Sequence, residues 1–171
     1  MKLVRQGSLL CILVAWVVLA ARAPASSPAT VLTADEALVL RIVNGERSER
    51  GVRALVLDPV LTKVAREHSA DMADRGYFSH LAPAPGPRTP LDRYVCALEI
   101  APEKIPLIGE NIGRAGQPVM AVIHKRMMAS AEHRANILDG EYTRMGVGIY
   151  ALPDGRVWLT EMFGADLPET R

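Results

Sequence analysis

The sequence is short of cysteine, with only Cys11 and Cys96. Cys11 lies in an apolar N-terminal run that is expected to be removed. Cys96 is then alone, so no intramolecular disulfide can form, and it reads as a buried, inert thiol. Bulky Leu10 before Cys11 does not suit lipoprotein processing, so no lipid anchor is assigned. No stretch carries a dense Lys/Arg block, which argues against a nucleic-acid partner. There is no Asn-x-Ser/Thr acceptor for a glycan, no His-x-x-x-His, no Cys-x-x-Cys, no Gly-x-Ser-x-Gly and no phosphate-cradling glycine loop. No internal repeat or low-complexity tract is found. The one long apolar run, Leu9–Ala21, has 13 residues, short of the ~20 that cross a bilayer.

That run has a different meaning. Lys2 and Arg5 precede it, and Ala23-Pro24-Ala25 follows it. A basic start, a short apolar segment and a small-residue cleavage site make a secretory signal peptide over residues 1–25, or else an uncleaved anchor. The rest of the chain is expected to be secreted, extracellular or periplasmic. Cleavage takes three basic residues and no acidic ones, leaving 146 residues with 17 basic against 19 acidic. That length makes one domain with its own core and no need of disulfides. A linker over 26–33, a domain over 34–166 and a tail over 167–171 complete the organisation.

Thr33 and Glu36 form a capping box ahead of an amphipathic helix that closes near Gly51. Asp58-Pro59 opens a second helix ending at Gly76, with Asp58 as N-cap and Pro59 at the first turn. Residues 77–110 read as mostly irregular, with Pro83, Pro85, Pro87 and Pro90 crowding the first half. A helical turn fits Leu91–Cys96. A third helix is expected from Pro118 to about Ser130. Alternating Val147, Ile149 and Ala151, the turn Pro153-Asp154-Gly155, then Val157, Leu159 and Phe163 predict a C-terminal antiparallel hairpin.

Three residues stand out on segments read as connections, where functional groups concentrate. His80 follows Tyr77-Phe78-Ser79. Glu110 sits in Gly109-Glu110-Asn111-Ile112. His133 lies in Glu132-His133-Arg134-Ala135-Asn136. Two imidazoles and a carboxylate can give a divalent metal such as zinc three ligands and an open position. The same three side chains can also form a purely structural cluster, in which the carboxylate fixes the tautomers of the imidazoles. His68, on an apolar helix face, reads as a core histidine. His124, beside Lys125 and Arg126, reads as solvent-exposed. Met120, Met127, Met128 and Met145 read as core or groove lining, and Glu161 as facing either the cleft or solvent from an edge strand. Ser79 and Ser130 are nucleophile candidates without an evident base–orienter pair.

The ordered segments Val43-Asn44-Gly45-Glu46-Arg47, Leu55–Leu61, Ala65–Met72, Gly76–His80, Gly109–Ile112, His133–Leu138, Met145–Ile149 and Trp158–Gly164 together resemble the CAP superfamily. These are the cysteine-rich secretory, antigen 5 and pathogenesis-related proteins, here in a short bacterial form, and the likeness runs from about residue 36 to 165. It implies an α+β fold, a three-layer α-β-α sandwich with a central antiparallel sheet. It also implies a cleft of two histidines and two acids, with His80, Glu110 and His133 at three of those positions. The second acid does not carry over: Met127 falls at the family's tryptophan and Ser130 at the acid. The chain is expected to be a monomeric binding module for a divalent metal or small apolar ligand in a cleft of His80, Glu110, His133 and Ser130, with a cell-envelope component as a further partner. A metal-dependent hydrolase and a scaffold with a vestigial cleft are the alternatives.

Overall fold

A computed structural model describes residues 30–98 and 106–165. The expected signal peptide, the start of the linker and the tail lie outside the described residues. The elements are α1 (Ala34–Glu49), β1 (Val56–Leu57), α2 (Pro59–Asp74), α3 (Pro90–Ala97), β2 (Leu107–Ala115), α4 (Met120–Ala129), α5 (Ala131–Leu138), β3 (Arg144–Ala151) and β4 (Val157–Ala165).

Local chemistry accounts for the helix starts. Thr33 Oγ1 accepts from the Glu36 amide at 3.2 Å, and Glu36 Oε2 accepts from the Thr33 amide at 2.8 Å. Asp58 Oδ1 accepts from the Leu61 amide at 2.9 Å, with Pro59 in the first turn of α2. Gly51 and Gly76 both take positive φ just beyond α1 and α2, a backbone region that disfavours any residue with a Cβ. The Leu91–Cys96 turn extends into α3, which Thr89 and Asp92 cap reciprocally.

The four strands run in the order β1-β3-β4-β2. β2, β4 and β3 are antiparallel, and short β1 joins the edge parallel to β3. Helices α2 and α3 cover one face, and α1, α4 and α5 cover the other. Side-chain alternation along the strands explains the two layers. Met145, Val147, Val157, Leu159 and Phe163 meet Val39, Val43, Met120, Ile123, Met127 and Ile137 on the α1/α4/α5 side. On the opposite face, Met162 packs with Leu61, Val64, Ala65 and Tyr94. There α2 rests directly on Gly146 and Gly148, where an added Cβ would overlap the backbone of Leu61–Thr62 and of Ala65–Arg66.

Two elements differ from expectation. The end of the stretch read as irregular is strand β2, which pairs with β4 along its whole length. The segment after α4 is a separate helix, α5. Ser130 breaks the two apart with an extended backbone and caps α5 through its hydroxyl, 3.5 Å from the His133 amide.

Candidate functional site

Strand β2 carries Glu110 and Asn111 to opposite faces of the sheet. Glu110 faces α2 and α3, and its carboxylate is buried. Oε1 lies 2.7 Å from His80 Nδ1 and Oε2 lies 2.5 Å from Arg93 Nη2. Arg93, on α3, also donates from Nη1 to the His80 carbonyl at 3.2 Å and to the Arg88 carbonyl at 2.9 Å. The guanidinium therefore holds the carboxylate and the backbone of the loop that bears His80. His68, on α2, places Nε2 at 3.8 Å from Glu110 Oε1, beyond hydrogen-bond range. Burial pushes the His68 imidazole below its ordinary pKa, against the opposing pull of Glu110.

This ordering of charges has a chemical consequence. A carboxylate paired with a guanidinium only accepts, so His80 Nδ1 is the donor, and in the neutral ring Nε2 is the nitrogen that carries the lone pair. The His80 side chain is half exposed, and exposed Phe78 and Leu81 flank it along the chain. Glu110 is thus a buried orienter behind an accessible imidazole, an arrangement that fixes tautomer and ring direction.

Asn111 faces α5 and β4. Its Nδ2 donates to Glu161 Oε2 at 3.0 Å and to the His133 carbonyl at 3.1 Å. Asn136 Nδ2 donates to the Glu110 carbonyl at 3.1 Å and to Asn111 Oδ1 at 2.9 Å. These amides bind α5, and with it His133, to the β2 edge. His133 is partly buried and makes no hydrogen bond to His80 or Glu110 among the described residues. Burial first, and repulsion from the His80 imidazolium where that forms, lower its pKa, against the opposing pull of Glu132. The two imidazoles thus belong to one neighbourhood, while only His80 touches Glu110. Ser130 serves as a cap between helices. Ser79 Oγ accepts from the Leu81 amide at 3.0 Å and stabilises the turn.

The donor set does not fit the expected three-ligand metal centre. Both Glu110 oxygens are engaged, one by a cation that would repel a second, and among the described residues no three His, Cys, Asp or Glu side chains are grouped to hold a metal ion. Five residues sit elsewhere than the sequence suggests. Glu110 and His133 are on a strand and a helix, not on connections. His124 is buried beneath α1, its Nε2 3.7 Å from Glu46 Oε1, and burial lowers its pKa. Glu161 is fully buried on the interior strand β4. Cys96, by contrast, is exposed.

Glu161 is a second buried acid, and burial raises its pKa to about 7 against the lowering effect of Asn111. Its folded pKa lies above its ordinary value of 4.5, so the unfolded chain releases this proton first. Its contribution to stability is therefore expected to fall as pH rises from about 4.5 to about 7, while buried His68 and His124, whose pKa values are lowered, contribute in the opposite direction. Glu161→Gln removes only the first contribution, so in urea unfolding across the window the stability of the parent chain relative to the variant should decrease as pH rises.

Arg93, Asn111 and Asn136 were not singled out in the sequence, because no motif spacing marks them. The Gly-Glu-Asn run signals Asn111 only through its neighbour.

The family model for the cysteine-rich secretory protein family, CAP, matches residues 40–163. The uncharacterized protein YkwD of Bacillus subtilis is 34% identical over 140 residues, spanning 81% of this chain and 50% of that protein. The uncharacterized membrane protein YlbC of the same organism is 31% identical over 119 residues, spanning 70% of this chain and 32% of that one. The chain therefore spans about half and a third of the lengths of these relatives. An extracellular protein with an SCP domain from Bacillus anthracis superposes with TM-score 0.64 at 30% identity, covering 77% of this chain and 40% of the other. An outer surface protein of Borrelia burgdorferi, 16% identical, shares the fold with TM-score 0.67 over 78% of this chain and 93% of its own. With its three layers and a family match over residues 40–163, this chain belongs to the cysteine-rich secretory protein family, CAP.

Proposed function

We propose that this chain is an extracytoplasmic binding module, not a hydrolase, and that its cleft takes a small ligand with an apolar body and one polar group. The carrying observation is His80. Its ring is held from behind by Glu110 at 2.7 Å, its side chain is half exposed, and exposed Phe78 and Leu81 are its near neighbours along the chain. Such a site offers apolar area and a single oriented acceptor, Nε2, the usual make-up of a small-molecule site. His133 adds a second imidazole. Glu110 is a positioning residue held by Arg93 and is not placed to serve as a general base. The N-terminal basic and apolar segments, and the extracellular and outer-surface descriptions of the structural neighbours, support a location outside the cytosol.

Titration with 2-naphthol, a neutral apolar body carrying one hydroxyl donor, tests this reading. Saturable binding is expected, weakened at least tenfold by His80→Ala and by Phe78→Ser. Binding that never saturates, or that both variants leave unchanged, would overturn it.

A further inference from the structure

A second site lies at the far end of β2, away from the Glu110 carboxylate. Arg114 on β2, Arg126 on α4 and Arg156 after the β3–β4 turn line one surface cavity of about 370 Å³, with Gly116 and Trp158. No carboxylate lines it. Asp154, which does not line the cavity, accepts from Arg156 Nε at 2.8 Å. The Arg156 guanidinium lies 5.7 Å from the Trp158 ring centre and that of Arg114 lies 5.0 Å from Phe78. Among the described residues neither Arg114 nor Arg126 has an acidic partner. Trp158 is only 7% exposed, and its buried indole Nε1 has no hydrogen-bond partner.

Every polar side chain in this wall is a donor. Guanidinium and indole N–H groups cannot accept, and a buried donor without an acceptor is costly to keep. Three cations from three segments of the chain, lining one cavity with no carboxylate in its wall, call for an anion. A carboxylate offers two oxygens in one plane. A tetrahedral oxyanion offers oxygens in several directions, and guanidinium pairs with phosphate through parallel hydrogen bonds. We infer that this cavity binds a phosphate-bearing ligand, with Arg114, Arg126 and Arg156 as the charge-pairing groups and the Trp158 ring as part of the wall.

Trp158 supplies the readout. The chain has two tryptophans, Trp16 and Trp158, so in the full chain carrying Trp16→Phe all indole emission comes from Trp158. Sodium phosphate, glycerol 3-phosphate and phosphatidylglycerol vesicles are titrated separately at constant ionic strength. A saturable emission change is expected, at least tenfold weaker in Arg126→Gln and in Arg114→Gln, both exposed positions whose thermal unfolding should match the parent. Saturation by either soluble phosphate supports the site with a soluble ligand, and saturation by vesicles alone supports it with a lipid headgroup. No saturable change with any of the three, or one that both variants leave at parental strength, would overturn the inference.

Discussion

Gly148→Ala is expected to destabilise the domain by at least about 3 kcal/mol, at or beyond the upper end of ordinary overpacking. The reason is what the new methyl group would strike. At most positions an added Cβ meets the tip of a side chain, which can rotate away. At Gly148 it would overlap the backbone of Ala65 and Arg66, and at Gly146 the backbone of Leu61 and Thr62. Helix α2 cannot yield locally, because its other contacts hold it: Ser69 Oγ donates to the Gly148 carbonyl at 2.9 Å and pairs with Thr160 Oγ1 at 2.8 Å. The helix would have to lift from β3 and β4, exposing Leu61, Val64 and Ala65. Gly45→Ala is the internal comparison. Gly45 is inside α1 with open space around its Cα, and alanine there should stabilise by roughly 0.5–1 kcal/mol. Urea unfolding of the two variants measures the contrast, and a Gly148→Ala cost below about 1 kcal/mol would mean that α2 does not seat on the sheet as described.

Arg93→Leu is expected to cost about 3–5 kcal/mol, the usual penalty for removing one partner from a buried ion pair. Glu110 is 6% exposed and Arg93 8% exposed, so solvent screens their contact little. Without the guanidinium the carboxylate retains, among the described residues, only His80 Nδ1 as a side-chain hydrogen-bond partner, with His68 Nε2 at 3.8 Å, and the carbonyls of His80 and Arg88 lose a donor. The double variant Arg93→Leu/Glu110→Leu should recover part of the loss, since no buried charge is then left unpaired. Denaturant unfolding of both single variants and the double gives the coupling. A single Arg93→Leu cost under about 1 kcal/mol, the range of an exposed pair, would contradict a buried anchor.

Helices α1 and α2 were readable because their caps are local: Thr33 with Glu36, and Asp58 with Pro59, each make their hydrogen bonds within three residues. The hairpin was readable from period-two alternation around Pro153-Asp154-Gly155. Strand β2 was not, because Gly109, Glu110, Asn111 and Gly113 are poor strand formers. Tertiary packing explains its glycines. A Cβ at Gly109 would overlap the Tyr142 hydroxyl, and one at Gly113 would press on Ile123 and Met127. The same applies to charge. Lys125 and Arg126 suggested that His124 faces water, yet His124 turns under α1, one position round the helix from them. His68 was rightly placed in the core, but its approach to Glu110 depends on α2 crossing β2's neighbour in the sheet, a relation no local pattern carries. Arg93 was missed for the same reason: its partner is on another element, 17 residues away in sequence.

The most direct measurement is the tautomer of the neutral His80 ring, from long-range proton–nitrogen correlation spectra of ¹⁵N-labelled protein recorded as the pH is raised until the ring no longer titrates. The expected result is that the ring, once neutral, keeps its proton at Nδ1, with Nε2 showing the shift of an unprotonated nitrogen, because Glu110 can only accept. Glu110→Gln should release that preference. A neutral His80 ring protonated at Nε2, or one averaging both tautomers in the parent chain, would contradict an imidazole locked by Glu110 with Nε2 offered to a ligand.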